Sequence, residues 1–225
     1  MTVLVLLLTT VAGLAGAEKA QPVKRLDEAA AVLQEVMATP DRSIPQDLLD
    51  KSQCIVIVPA LKKGAFILGG KYGKGYISCR KKGAGWSAPG TVRIEGGSVG
   101  FQIGGSESDV IMLVMNERGV NKLLSSKFTL GAEGAVAAGP VGREATAQTD
   151  ALMHAEILSW SRSQGLFAGL SLQGATLRQD LGDNAAIYGR RITNKEIVQS
   201  SMPVPAAAKG LISLLNKYSS AKNSN

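Results

Sequence analysis

From Cys54 onward the apolar residues stop recurring at three-and-four spacing and fall into short runs and alternations cut by glycine. This change of period commits most of the chain to strands. Cys54 to Val58 and Val110 to Met115 are continuous apolar runs, as expected of central strands covered on both faces. Gly64 to Gly70 and Gly75 to Arg80 read as two strands, with Lys71 to Lys74 as the hairpin turn between them. Val92 and Ile94 alternate with Arg93 and Glu95, and Val99, Phe101 and Ile103 with Gly100 and Gln102, the period of half-exposed antiparallel strands. Leu158 and Trp160 set against Ser159 and Ser161, then Leu166 to Leu172, add two more with Gly165 at their turn. Gly139-Pro140-Val141-Gly142 is a turn. The 26 glycines follow no three-residue period, which excludes collagen and marks tight turns.

Helices are expected at both ends. Leu26, Ala29, Ala30, Leu33, Val36 and Met37 lie on one helical face opposite Asp27, Glu28, Gln34 and Glu35, and Pro40 ends the pattern. The polar face is acidic, unlike that of an interfacial helix, so this helix packs on the domain. A short helix follows from Pro45 to about Lys51. Asn116 caps another that runs to about Ser125. Thr193-Asn194-Lys195-Glu196 is a capping box for a helix to about Ser200. Beyond Pro203 and Pro205, a last amphipathic helix carries Leu211, Leu214, Leu215 and Tyr218, and a polar, frayed tail covers 219–225. The expected fold is α+β: one domain with an antiparallel, strongly curved or barrel-like sheet flanked by N-terminal and C-terminal helices.

Residues 1–17 carry no charge, with an apolar core from Val3 to Val11 and small residues at Ala15 and Ala17. The pattern is that of a secretory signal peptide, so the protein is expected to be exported, periplasmic or secreted, and peripherally membrane-associated. Ala17 stands where a lipoprotein would need its cysteine, so lipidation is not expected. Cys54 and Cys79, the only cysteines, fit either one disulfide or two buried thiols. With His154 the single histidine, no zinc or haem spacing exists, and neither a metal nor a cofactor is expected.

The net charge of +7 is local. Lys51, Lys62, Lys63, Lys71, Lys74, Arg80, Lys81, Lys82 and Arg93 fall in one stretch with no acid among them, contributing +9 against −2 from the rest of the chain. Such a stretch suits an anionic surface, or else keeps strand edges solvated. Nucleic acid is not the expected partner, because aromatics make up 4% of the chain and few lie among these lysines.

Two catalytic patterns fail on inspection. Leu68 occupies the first glycine position of a phosphate loop ending in Gly73-Lys74, and Gly75 occupies its Ser/Thr position. Gly96-Gly97-Ser98-Val99-Gly100 satisfies the nucleophile-elbow expression, with His154 as base and Asp150 or Asp183 to orient it. An elbow needs a helix after its serine, whereas Val99 to Ile103 alternates like a strand.

Several strings, Gly85-Trp86-Ser87-Ala88-Pro89, Gly100-Phe101-Gln102-Ile103-Gly104, Gly139-Pro140-Val141-Gly142-Arg143, Ser161-Arg162-Ser163-Gln164-Gly165-Leu166-Phe167-Ala168-Gly169 and Ile187-Tyr188-Gly189, resemble in sequence and order those of the SYLF domain family. The resemblance runs from about Lys24 to Leu215. Trp160 stands where the family usually has another aromatic, and Gly90 where alanine is common. The resemblance implies a phospholipid-binding module without catalysis, with phosphoinositide recognition in eukaryotic members and actin binding in some fungal ones. Arg143, Ser161, Arg162 and Ser163 lie in the most family-like strings, and arginine suits bidentate phosphate contacts.

The sequence thus predicts a signal peptide over 1–17 and a SYLF-type domain over 24–218 that binds anionic phospholipid or a membrane surface. The expected contacts are Lys62, Lys63, Lys71, Lys74, Arg80, Lys81, Lys82, Arg143 and Arg162. The alternative is a structural or protein-interaction module of the cell envelope. A serine hydrolase using Ser98 comes third.

Overall fold

The computed structural model describes residues 8–39, 44–65, 68–81, 83, 85–99, 104–130, 136–141, 155–163, 166–170, 172 and 174–219. Helix α1 (Leu8–Met37) and the short α2 (Gln46–Lys51) lead into four long strands, β1 (Cys54–Ala65), β2 (Leu68–Cys79), β3 (Gly90–Val99) and β4 (Gly104–Val114). Helix α3 (Glu117–Leu123) and the short strands β5 (Lys127–Thr129) and β6 (Val136–Ala138) follow. Then come β7 (Ile157–Ser163), β8 (Leu166–Gly169) and β9 (Thr176–Gln179). The chain ends in α4 (Leu181–Tyr188), α5 (Asn194–Gln199), a 3-10 turn (Ala206–Ala208) and α6 (Lys209–Tyr218).

The strands form one curled sheet in the order β5-β9-β3-β2-β1-β4-β7-β6, with β8 also on β7. It is antiparallel except for β6 against β7. The expected α+β fold with terminal helices is what forms.

The sheet separates two apolar layers. Leu26, Ala29, Val32, Leu33 and Val36 of α1 are buried against Ile55, Ile57, Tyr76, Ile111, Leu113 and Trp160, together with Leu211 and Leu215 of α6. The other face buries Val56, Val58, Ile77, Val92, Ile94, Val110 and Met112 under Leu123, Leu177 and Ile197. Both faces of the central strands are therefore covered, as their unbroken apolar runs require. Two terminal devices follow the sequence: Asn116 accepts from the Gly119 amide at 2.9 Å, and Thr193 and Glu196 close a capping box. Asp180 caps α4, which the sequence analysis did not expect.

One irregularity organises the sheet. The pairing of β1 with both neighbours shifts between Val58 and Leu61, and Ala60 there takes a φ of 52°. This is a β-bulge. Before it the odd residues Ile55 and Ile57 face α1, and after it Leu61 joins the opposite layer, so Lys62 now shares the α1 face. Asp109 on β4 accepts from the displaced Ala60 amide at 3.0 Å. Gly75 and Gly73 make room for the bulge. A Cβ on Gly75 would stand 2.0 Å from the Ile57 carbonyl, and one on Gly73 would stand 2.8 Å from the Leu61 side chain.

Several expectations are corrected. The turn expected at Lys71 to Lys74 lies inside β2, and the join between β1 and β2 is at 66–67. Its glycines accommodate the bulge rather than a turn. Val99, expected to open a strand running to Ile103, is instead the last residue of β3, where it pairs with Leu68, and residues 100–103 lie outside the described residues. The strand after Gly165 ends at Gly169 rather than Leu172. Ser219, expected in a frayed tail, is buried and its carbonyl accepts from the Trp86 indole at 3.1 Å. Helix α4 and strands β5, β6 and β9 had no strong periodic signal. The Cys54–Cys79 question left open by the sequence is answered by a disulfide between directly paired residues of β1 and β2.

Gly75→Ala should lower unfolding free energy by about 2 kcal/mol or more, because the clash is with backbone that cannot rotate away. Urea denaturation of the two proteins measures it, and an unchanged midpoint would contradict the role given to Gly75.

Candidate functional site

The structure sorts the predicted basic residues into three groups. Lys74 is consumed internally: its ammonium lies 2.9 Å from Asp180 and 2.9 Å from Asp183, and Asp183 also accepts from Arg25 of α1 at 2.7 Å. Arg162 is consumed likewise, by Asp109 at 2.7 Å and by Glu35 of α1. Arg80 donates to the carbonyls of Ser52, Leu49 and Ser219 at 2.7, 2.8 and 3.1 Å and stacks on Trp86, 4.5 Å from its ring centroid. These three cations hold helices, and Ser219 just past α6, to the sheet.

Lys81 is half-buried at the opposite end, near Lys51. There a cavity of about 930 Å³ is lined by the disulfide, Val120, Leu124 and Val198. Lys82, Arg143 and His154 lie outside the described residues.

Lys62, Lys63 and Lys71 form the third group, together on the β1–β2 hairpin. Lys63 pairs directly with Lys71, and Lys62 with Tyr72. Direct cross-strand partners share a face, so Lys63 and Lys71 stand side by side. Burial lowers the Lys63 pKa, and the Lys71 charge lowers it further. Like charges at this spacing are destabilising, and a fold that keeps them holds positive potential at that edge. On the α1 face, Lys62 lies between Tyr72 and Glu107, and Tyr72 is 49% exposed.

Beyond these residues a row of glycines crosses four strands. Gly105, Gly64, Gly70 and Gly97 are in register across β4, β1, β2 and β3. A Cβ on Gly64, Gly70 or Gly97 would meet nothing within 4 Å, and one on Gly105 only the Lys63 carbonyl at 3.8 Å. Sequence reasoning found the lysines but missed Tyr72 and this row. A period-two count carried through the bulge would have aligned the glycines.

Ser98 lies in β3 paired with Gly69, so no helix follows it directly as an elbow would require. Among the described residues no three His, Cys, Asp or Glu side chains gather to hold a metal, and no helix is long and apolar enough to cross a membrane.

Fold and site together define an α+β domain that holds Lys63 and Lys71 side by side on the β1–β2 hairpin. Residues 95–218 match the family model described as Ysc84, Las17-binding protein actin regulator. The chain is 36% identical over 176 residues to the SH3 domain-containing protein PJ696.02 of Schizosaccharomyces pombe, covering 77% of this chain and 41% of that protein. It is 33% identical to Protein YSC84 of Saccharomyces cerevisiae over 178 residues, 78% of this chain and 38% of that one. It is 31% identical to the human SH3 domain-containing YSC84-like protein 1 over 180 residues, 80% and 52%. The chain belongs to the Ysc84/SYLF family, and it spans from about two fifths to half of the length of these relatives.

Two outcomes test the division of labour among the charges. Burial opposes ionisation of Asp180, but donation from Lys74 and from the Asp183 amide prevails and holds its carboxyl below the ordinary range. Its stabilising contribution is present above the unfolded aspartate value of about 3.9 and lost as pH falls through the lower folded value. Lys74 is raised: burial lowers it, and Asp180 and Asp183 more than offset that. Its contribution is full below about 10.4 and lost only as pH climbs through the folded value. Asp180→Asn keeps the cap, so thermal melts should show lower stability at pH 7 and a shallower loss below about pH 4 than in the wild type. Gly70→Ala, in contrast to Gly75→Ala, should leave stability unchanged or raise it by up to about 1 kcal/mol in urea denaturation, since its methyl enters open space.

Proposed function

We propose that this domain binds anionic phospholipid at a membrane surface through Lys62, Lys63 and Lys71, without catalysis. The observation that carries the reading is the adjacency of Lys63 and Lys71, two cations kept side by side while Lys74, Arg80 and Arg162 are spent on internal partners. An ammonium near an anionic bilayer contributes about 1 kcal/mol, and the contribution weakens with salt. Arg143 and Lys82 stay within the proposal as sequence candidates. The apolar run Val3–Val11 and the small residues Ala15 and Ala17 support an exported setting.

The family description, Las17-binding and actin regulator, supports a second reading in which the same charged end meets a protein. Co-sedimentation separates the two. Vesicles of phosphatidylcholine mixed with phosphatidylglycerol should retain the protein at low salt, and phosphatidylcholine alone should not. Lys63→Ala/Lys71→Ala should bind about thirtyfold more weakly, at about 1 kcal/mol per cation. Absence of binding to any vesicle would remove the lipid reading and leave the protein-binding one.

A further inference from the structure

We infer that the cavity over the Cys54–Cys79 disulfide is a binding site for a small amphipathic anion, a carboxylate or phosphate joined to an apolar body, with Lys51 and Lys81 as its cationic contacts. The inference stands apart from the lipid-binding reading, because this cavity lies at the end of the β1–β2 hairpin remote from Lys63 and Lys71.

The fold builds an apolar base for it. Cys54 opens β1 and Cys79 closes β2, and both belong to the apolar layer opposite α1. Their disulfide ties the two strand ends together, so the floor is formed before a ligand arrives and less has to be ordered on binding. Val120 and Leu124 of α3 and Val198 of α5 pack on the same layer and line the same cavity. Its volume of about 930 Å³ falls within the roughly 300 to 1,000 Å³ of small-molecule sites, which join an apolar lining to a few polar groups.

The rest of the lining supplies those groups. Gln53, Asn121 and Gln199 contribute amides, and Ser200 and Ser201 hydroxyls. Arg80 also lines the cavity, but its guanidinium is given to the Ser52, Leu49 and Ser219 carbonyls. Lys81 is half-buried and makes no ion pair among the described residues, which leaves its charge for a ligand. The Lys51 ammonium stands 3.8 Å from Asp47, the loose spacing of an exposed helix pair. An adjoining cavity of about 470 Å³ shares Gln199 and Ser200 and adds Arg190 and Lys195. Two acids oppose these cations: Glu117 in the larger cavity, and Glu196 in the smaller, already engaged with Thr193 in the capping box. Besides Arg80, four cations thus face two carboxylates, and the balance favours an anion. An inorganic ion would leave the apolar base uncovered, and an uncharged apolar molecule would leave the lysines unused. The lining as a whole fits a molecule that carries both characters.

Octanoate and octyl phosphate are the probes, with acetate as the anion lacking an apolar body and octanol as the body lacking charge. Titrated into the isotope-labelled full chain with its disulfide intact, at least one probe should move the amide resonances of Cys54, Val120, Leu124 and Val198 saturably. Its affinity should exceed that of acetate and of octanol at least about tenfold. Loss of one charge-assisted contact in Lys81→Gln should weaken the probe about tenfold. Lys51→Gln, at a side chain 72% exposed and therefore tolerated by the fold, should weaken it severalfold. Lys24→Gln on α1, also exposed, should leave it unchanged. If neither probe binds more tightly than acetate and octanol, the cavity takes no such ligand and the inference fails. It fails equally if the resonances that move lie away from these four residues, or if Lys51→Gln and Lys81→Gln both bind as the wild type does.

Discussion

The bulge between Val58 and Leu61 is the constraint on which the rest of the molecule depends. One extra residue in β1 reverses which side chains face α1, so a strand that begins as a two-sided apolar core strand ends by presenting lysines on both faces. The displaced backbone has to go somewhere, and Gly73 and Gly75 leave the space for it. The freed amide of Ala60 needs an acceptor, and Asp109 provides one. Asp109 is in turn held by Arg162, which also reaches Glu35 on α1, so the helix, the bulge and β7 form one connected set.

This connectivity explains why much of the basic stretch is structural. Lys74 faces α1 because of its place in β2, and there it joins Asp180, Asp183 and, through Asp183, Arg25. Arg80 gathers three carbonyls, from Leu49 in α2, from Ser52 at its exit and from Ser219 just past α6, fixing Ser219 against Trp86. A run of cations in sequence thus divides by position along two strands. Those near the covered part of the sheet tie elements together, and those past the edge of α1 remain for the surroundings.

The sequence showed the terminal helices, the capping residues Asn116 and Thr193 and the central strands, because each is a local signal with a fixed period or spacing. It misplaced the β1–β2 join because the bulge breaks the alternation at the point where glycines multiply. Gly73 and Gly75 look like turn residues when the neighbouring strand is unseen. Strands β5, β6 and β9 are three or four residues long, too short to carry a period, and exist by pairing with distant partners such as Arg178 with Lys127. The candidate lysines were legible as charge, but the distinction between Lys71 and Lys74, three residues apart, depends on Asp180 and Asp183 more than a hundred positions away.

The disulfide gives the hairpin a property that its hydrogen bonds alone do not. Cys54 is the first residue of β1 and Cys79 the last of β2, 25 positions apart in sequence. The hairpin is therefore a covalent ring, closed at the end remote from the lysines. Its free end can fray and re-form many times without the two strands losing their alignment, because the ring carries the memory of the register at its base. Rim and base have been assigned opposite mechanical roles within a single pair of strands.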